Sequence, residues 1–452
     1  MVRLDLTSLE TYSRSCLEIA RARLGSFSSL AEIAAAEADL NAYEHLEALS
    51  EPRDIHLLEE DRLAPADLDR ARQAVLEGRI FWEHTAAGEA TRLRMGTKYR
   101  INVPEHLTVK MIAATISDEL RREVSPQEVR AMLAVDPKDL LPLSLGRRHL
   151  LQLAFDLTRL AEEAGQDPRA VLARQKILLI LNEKTAETIT ARVRKADFMG
   201  FDRLNFYFMI QPTFLGIALR DGRFFFDPAS PRRMHNHGQL VMQETMDDQV
   251  YYLDEFDRCV HLSAEEFEDL LAESSGKISY NIEDLDYLTG AVDYPALALA
   301  LRLGEKGFNM VMEIVANNPE RPMKGGLAAY DLVLGRNVMI ESFQLKGWSN
   351  DRIKFLNRNF NHYTNPVVGW RAIKERGLPM PVAVKEGYLY FQPVQGDINF
   401  LVPTALVRRG KLKPIKAWKS AADSPQAVNA MWAQDNQPGF KEFVKKTIGD
   451  LG

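Results

Sequence analysis

The sequence predicts an α/β fold with a mostly parallel central sheet, a helical amino-terminal segment before it and a smaller carboxy-terminal α/β segment after it. Three observations carry this. Apolar runs of strand length alternate with amphipathic helical patterns through the middle of the chain, the arrangement that builds parallel sheets from crossover units. The 452 residues, 46% of them hydrophobic, suffice for a sizeable buried core in two or three domains. Gly 26 and Pro 21 are too few for a fibrous or disordered chain.

The elements follow in order. Over residues 1–78, LEIARARL, SLAEIAAAEADLNAYEHLEAL and LDRARQAVLEG space apolar residues three and four apart with charges between, which predicts helices. At Arg79 the texture changes to RIFWEHTAAGEATRL, a β-prone run leading into small residues, as a strand before a tight loop reads. QKILLILN (strand), TAETITARVRKADFMGF (helix) and RLNFYFMIQ (strand) come next, then KISYNIED (strand), PALALALRLGEKG (helix) and FNMVMEIVAN (strand). A hairpin around Gly335 closes the central domain, 79–345. The segment 346–452 holds RIKFLNRNFNHYTNPVVGWRAIKERG, strands in GYLYFQPVQGDINFLVP and the short terminal helix FKEFVKKTIGDL. No internal repeat or Gly/Ser linker punctuates the chain.

Lys+Arg 57 against Asp+Glu 63 gives a formal charge of -6, so no bulk attraction to nucleic acid or an anionic membrane is built in, although a local basic cleft is compatible with it. Cys16 and Cys259 fit neither a disulfide framework nor a CxxC ligand set, which points to a reducing compartment. MVRLDLTSLETYSR places Arg3 and Asp5 where a signal peptide would carry an apolar run, and no stretch approaches the roughly 18 apolar residues of a membrane span. A cytoplasmic protein is expected.

The loop TAAGEATRLRMGTK, residues 85–98, puts Ala, Ala, Gly and Ala directly after a strand, where backbone amides can approach a ligand closely. Such a concavity binds phosphate oxygens, and Arg92 and Lys98 add positive charge to the same anion. It is neither the GxGxxG fingerprint nor the GxxxxGKS loop, and a small-residue turn with solvated basic residues is the plain alternative.

In company with other blocks, this loop resembles that of the UDP-sugar pyrophosphorylases. AAGEATRLRMGTK is similar to the family's GGxGTRLGxxxPK, with Gly88, Thr91, Arg92, Leu93 and Lys98 matching. ILLILNEKTAETITARV resembles the strand and helix that follow it, and FYFMIQP ends at Gln211 and Pro212 like the segment whose Gln meets uracil. RRMHNHGQL is similar to PPGHGD at His237 and Gly238, and YNIEDLDYLTGAVD to SNxDNLGATVD at Asn281, Gly290, Ala291, Val292 and Asp293. FNMVMEIVANNPERPMKGGLAAYDLVLGRNVMIESFQ resembles MEVxxKTxADxKGGTLxxYEGxxxLLExAQ, carrying Met312, Glu313, Lys324, Gly325, Gly326, Leu327, Tyr330, Glu341 and Gln344. FNHYTNPVVGWRAIK is similar to FNTNNLWVNLKAIK through Phe360, Asn361 and Asn365, in a register that can slip by one, and LKPIK to LPVK through Lys416. The likeness spans 79–416.

The resemblance implies a Rossmann-like nucleotidyltransferase domain closed by the carboxy-terminal segment, using UTP, a sugar 1-phosphate and Mg²⁺, with glucose the sugar that KGG favours. It places Lys98, Arg92 and Lys416 on the phosphates. It places Ala87, Gly88, Thr91, Gln211, His237 and Gly238 around the nucleotide, and Asn281, Gly325, Gly326, Glu341, Asn361 and Asn365 around the sugar. Glu283 stands where the family has the Asp near metal and sugar phosphate, and Asp284 takes the role if the register slips. Departures accompany the matches: Ala87 and Ala90 replace glycines, the interval from Leu93 to Lys98 is one residue short, Arg94 and Thr97 replace Gly and Pro, and Gln239 replaces Asp. No stretch after Lys416 matches the family's carboxy-terminal β-helix.

Several residues keep a second reading. Gln211 can equally cap its strand, Glu283 can be a solvated loop acid, and KGG a plain turn. His235 is expected at the surface, and HNHG lacks the further ligands a zinc site needs. Besides an active enzyme, a member that binds nucleotide or sugar phosphate without turnover and an interaction protein built on the amino-terminal helices are the competing classes.

Overall fold

The computed structural model describes residues 3–59, 63–88, 95–317, 325–349, 352–410 and 417–449, apart from the side chains of 359–361. The central strand Lys176–Asn182 is apolar along its length, with Ile177, Leu178, Leu179, Ile180 and Leu181 all at 0% exposure. Such a run without alternation means that both faces are covered. On one side Phe81 meets Phe267 of helix Ala264–Ala272, ring centroids 5.7 Å apart. On the other Trp82 stacks on Tyr280 at 6.2 Å, its indole N–H satisfied by Gln175 Oε1 at 2.9 Å.

The sheet orders its strands His56–Leu58, Thr404–Arg409, Met310–Ala316, Phe355–Thr364, Gly276–Asn281, Ile80–Thr85, Lys176–Asn182, Phe206–Gln211, Val250–Leu253 and Cys259–His261. Neighbours run parallel except around Phe355–Thr364, which is antiparallel to both its partners, and at the Val250–Leu253 edge. The expected hairpin pairs Leu327–Asp331 with Arg336–Ile340 and turns at Gly335, whose φ of 66° suits a residue without a Cβ.

A second, antiparallel sheet joins Ile217–Arg220 and Arg223–Phe226 to Val382–Lys385 and Tyr388–Phe391. The first two helices, Leu9–Leu24 and Leu30–Leu40, dock here, where Tyr12 lies edge-on to Phe214 at 5.4 Å and Asn41 exchanges two hydrogen bonds with the Val382 backbone at 2.7 and 2.8 Å. Cys16 is buried in that core, which pushes its thiol up to about 12. The amino-terminal segment also contributes Leu49–Ser50 and His56–Leu58 to the main sheet, strands too short to show a period. At the other end, helices Ser424–Asp435 and Phe440–Ile448 pack near helix Leu145–Glu163 through a buried Arg148–Asp435 ion pair of 2.6 Å. Positions 78 and 345 therefore do not divide the main sheet, which draws strands from all three expected segments. No helix among the described residues is long and apolar enough to cross a membrane.

Beneath the carboxyl ends of the central strands lies a buried charge cluster. Lys277 Nζ sits 2.6 Å from Glu83 and 3.0 Å from Glu244, all at most 5% exposed. Lys277 holds the Glu83 carboxyl low, while burial and the charge on Glu83 push Glu244 far up.

Removing the ammonium from this cluster leaves Glu83 uncompensated. Lys277→Met should lower unfolding free energy by roughly 3–5 kcal/mol. Addition of Glu83→Gln to that variant should restore much of the loss in urea titrations.

Candidate functional site

The chain leaves strand Ile80–Thr85 towards Lys176–Asn182, while Gly276–Asn281 lies on the opposite flank. Ligands of open α/β sheets bind at such a switch point, outside the carboxyl ends of the strands. Asn281 stands beside Thr85 here, and Asn182 beside Gln211.

The loop that follows is pinned at its base. Ala86 N–H donates to Ile180 O at 2.9 Å, Asn182 Nδ2 donates to Ala87 O at 2.9 Å, and Lys98 N–H returns to Gly88 O at 3.2 Å. Ala87 is buried, while a Cβ on Gly88 would meet nothing within 4 Å. Thr91 and Arg92 within the loop, and Lys416, lie outside the described residues.

Lys98 forms an ion pair with Glu283, and Lys419 approaches the other carboxylate oxygen at 3.4 Å. Glu283 is held in place from its backbone, since its carbonyl accepts from Trp418 N–H at 2.9 Å and Asp284 bridges to Ala417. The carboxy-terminal segment therefore delivers Lys419 to the carboxylate. Sequence comparison reached Lys416 but not Lys419, three positions on; AWKS contains no signal for it beyond the charge. Asp284, partly exposed by surface yet densely surrounded by protein, is pushed up to about 7 by burial and by the neighbouring Glu283 charge.

Gln211 is 5% exposed and donates from Nε2 to Asn236 O at 3.0 Å, tying the strand end to the 233–239 loop. Gln239 continues the tie, accepting from His235 N–H at 2.8 Å and donating to Pro212 O at 3.1 Å. His237 Nδ1 accepts from Gln395 N–H at 3.0 Å, and although the residue reaches the surface, the protein packed around its imidazole lowers it to about 4. Gly238 faces backbone: a Cβ there would lie 2.4 Å from Pro393 C. Its missing side chain admits the 393–395 segment, whichever ligand the loop takes.

His235 is not at the surface. It is 3% exposed, stacked on Phe214 at 4.4 Å and hydrogen-bonded from Nδ1 to Tyr12 hydroxyl at 2.9 Å, because the first helix covers it. Burial lowers it to about 3, so it is neutral.

Asn281 lies at the strand end and accepts from Glu283 N–H at 3.3 Å. Gly326 is pressed on Met339, where a Cβ would lie 2.6 Å from Sδ, and its carbonyl accepts from Asn357 N–H at 3.0 Å; Gly325 abuts Leu356. Lys324 lies outside the described residues. Glu341 N–H donates to Gln344 Oε1 at 3.0 Å, and burial raises its carboxyl. Asn361 sits in the reversed strand opposite Met312. Asn365 does not join the group. Thr364 pairs with Gly276, at the amino end of the strand that Asn281 ends, and Asn365 N–H donates to Ser275 O at 3.1 Å. That is roughly 16 Å from the Asn281 level at about 3.3 Å per residue.

Gln395, which sequence reasoning missed, links the loops to the charge cluster, reaching Tyr363 Oη at 3.2 Å and Ser279 Oγ at 3.4 Å. On the opposite face His84 and His149 are buried, His84 stacked on Tyr280 at 4.7 Å with no partner on Nε2 among the described residues. Burial lowers them to about 3 and about 4.

No family model matches the sequence, and no curated protein matches it. Solved structures do. A UDP-N-acetylglucosamine pyrophosphorylase of Trypanosoma brucei, determined with an inhibitor, superposes with a TM-score of 0.58 at 13% identity over 93% of this chain and 79% of that one. A protein titled UDP-glucose phosphorylase from the same organism gives 0.53 at 15%, covering 94% and 75%. A variant UDP-glucose pyrophosphorylase of Leishmania major gives 0.53 at 13%, covering 92% and 78%. Identities this low establish shared architecture: the chain has the nucleotidyltransferase fold found in UDP-sugar pyrophosphorylases.

A histidine kept neutral by burial costs stability in acid, because only the unfolded chain takes up its proton below the ordinary value of 6.5. The stability that His84 preserves above that value should be lost as pH falls from about 6.5 towards its folded value of about 3. Relative to wild type, His84→Phe should gain roughly 2 kcal/mol between pH 7 and pH 4.5 in chemical denaturation.

Proposed function

We propose that the chain is a uridylyltransferase forming a UDP-sugar and pyrophosphate from UTP and a sugar 1-phosphate. The observation that carries this is the convergence at the switch point of the pinned 88–98 loop, Lys98, Glu283 and Lys419, drawn from three separate stretches of sequence. The similar solved structures support the same class, and include proteins named for UDP-glucose and for UDP-N-acetylglucosamine. Glucose 1-phosphate is the sugar substrate we favour, on the Lys324–Gly325–Gly326 segment.

The reaction needs little covalent help from protein. A phosphate oxygen of the sugar 1-phosphate attacks the α-phosphorus of UTP in line, the bond to the bridging oxygen of the β-phosphate breaks, and pyrophosphate leaves. The task is to hold two polyanions together. In this reading Lys98 and Lys419, which pair with Glu283, exchange that carboxylate for phosphate oxygens, with Arg92 and Lys416 as further cations. The same reading assigns Ala87, Gly88 and Thr91 to the nucleotide, Gln211, His237 and Gly238 to its base side, and Asn281, Gly325, Gly326, Glu341 and Asn361 to the sugar.

Glu283 fits Mg²⁺ as a single hard oxygen ligand, because Mg²⁺ commonly takes one or two carboxylates and completes its shell with water and substrate phosphates. Bound there, Mg²⁺ would neutralise phosphate charge. Among the described residues no group of three or more His, Cys, Asp and Glu forms a cage for a metal.

A second reading, binding without turnover, draws on the buried methyl of Ala87 in the cradle. Assaying pyrophosphate release from UTP with glucose, galactose and N-acetylglucosamine 1-phosphates separates the readings. UTP binding with no release for any sugar would favour the second.

Lys98→Ala should lower kcat about 100-fold, on the order of 3 kcal/mol, with the fold intact. Glu283→Gln should abolish most Mg²⁺ or Mn²⁺ support while UTP binding stays measurable, and Glu283→Asp should harm less. Wild-type metal dependence in Glu283→Gln would make that residue a bystander.

A further inference from the structure

Behind the nucleotide loop lies a separate cleft of about 630 Å³, lined on one side by Arg100 and Asn102, on another by Ser144 and Arg147, and on a third by Arg192 and Lys195. Arg100 and Lys98 flank Tyr99 in one short turn and diverge: Lys98 goes to Glu283 and Arg100 to the cleft. Arg192 and Lys195 stand at the end of helix Ala186–Lys195, whose other end rests on Asn182. At 1.5 Å per residue the far wall is therefore some 10–15 Å from the strand ends.

The four cations have no hydrogen bond or ion pair among the described residues, although this chain pairs many of its other arginines. Among the described residues of the lining Glu105 is the one carboxylate, and His106 is also there. Solvated surface charge alone would not gather cations on three elements around one concavity.

Two further features face the same space. Helix Leu145–Glu163 begins at Ser144 with no side-chain cap, and although Leu145 N–H donates to Ile101 O at 2.8 Å, Ser144 and Arg147 put the positive end of this 19-residue helix in the cleft wall. Asn102, 7% exposed, also lines the cleft; its Oδ1 is buried without a partner among the described residues, so it is the amide N–H₂ that can serve an anion.

We infer that the cleft formed by Arg100, Arg147, Arg192 and Lys195 binds a phosphate chain at a site distinct from the reaction centre. Drug-sized ligand pockets are mostly apolar, whereas this lining is chiefly polar and cationic, so its ligand is selected by charge. A di- or triphosphate suits four positive groups better than a monoanion does. The chain arrives either free, as inorganic pyrophosphate, or as the tail of a nucleoside triphosphate. Its position behind the loop couples the two sites: Thr97 lines the cleft and meets Asn182 Nδ2 at 3.4 Å, while the next residue, Lys98, contacts Glu283. The binding site stands without the proposed uridylyl transfer; a role in sensing its product rests on that reading.

The experiment is calorimetric titration of the full chain with inorganic pyrophosphate and, separately, UTP. It uses wild type, Lys98→Ala and the exposed-helix double variant Arg192→Glu/Lys195→Glu, checked by circular dichroism. Pyrophosphate affinity should fall at least about tenfold in the double variant and persist in Lys98→Ala. The same pattern for UTP but not pyrophosphate would uphold the cleft and assign it to a nucleotide tail. Binding of both ligands within about twofold of wild type in the double variant, or no binding of either to wild type, would overturn the proposal. Should the reversed-charge protein fail to fold, Arg192→Gln/Lys195→Gln must show the same direction of change. No sugar phosphate or turnover enters the measurement, so its failure is separable from failure of the enzymatic reading.

Discussion

One ammonium shared between two buried carboxyl groups holds the centre of this molecule together. Lys277 lies between Glu83 and Glu244, joining strands Gly276–Asn281 and Ile80–Thr85 to the end of helix Gly238–Gln243. Trp370 Nε1 donates to Glu244 O at 2.9 Å, which adds the helix Pro366–Arg376. A buried ion pair is a poor source of net stability, because desolvation consumes most of the Coulomb gain. What it supplies here is register: the groups match only when the strands and the helix end are correctly placed, and Gln395 extends that match to the loop carrying His237.

That rigid floor explains how a site of long basic side chains is organised. The loop after Thr85 is closed at its base by one hydrogen bond between Lys98 and Gly88, and the carboxy-terminal segment is fixed through the Glu283 carbonyl. Lys98, Glu283 and Lys419 are then presented from anchored backbone, so less freedom remains to be lost when charge is redistributed onto a ligand. The cleft behind the loop shares the anchor at residues 97–100, and so two collections of positive charge on opposite sides of one short turn are mechanically linked.

Much of this arrangement was legible in the sequence. Strands such as Lys176–Asn182 are readable because both faces are covered and the apolar run is unbroken. The turn after Thr85 was readable because the β-prone run stops abruptly at the small residues Ala86, Ala87 and Gly88. His235 was misplaced because a histidine beside other polar residues reads as exposed until the first helix, more than two hundred positions earlier, is laid over it. Asn365 was misplaced because its block was carried over without knowing which way its strand runs. Lys419 and Gln395 had no signal, since their importance comes from backbone pinned elsewhere.

By itself the sequence determined the alternation of strands and helices, the hairpin at Gly335, the small-residue loop after Thr85 and the carboxylate after Asn281. These depend on local spacing and side-chain chemistry, which a single chain displays directly. Tertiary structure alone decided that Phe355–Thr364 runs reversed between two parallel strands, that the amino-terminal helices cover the second sheet, and that Lys277 serves two distant glutamates. It alone gathered Arg100, Arg147, Arg192 and Lys195 around one cavity. The physical reason is common to all four: each is a contact between residues far apart in the chain, fixed by which buried faces and charges must be satisfied together, and no local pattern records that sum.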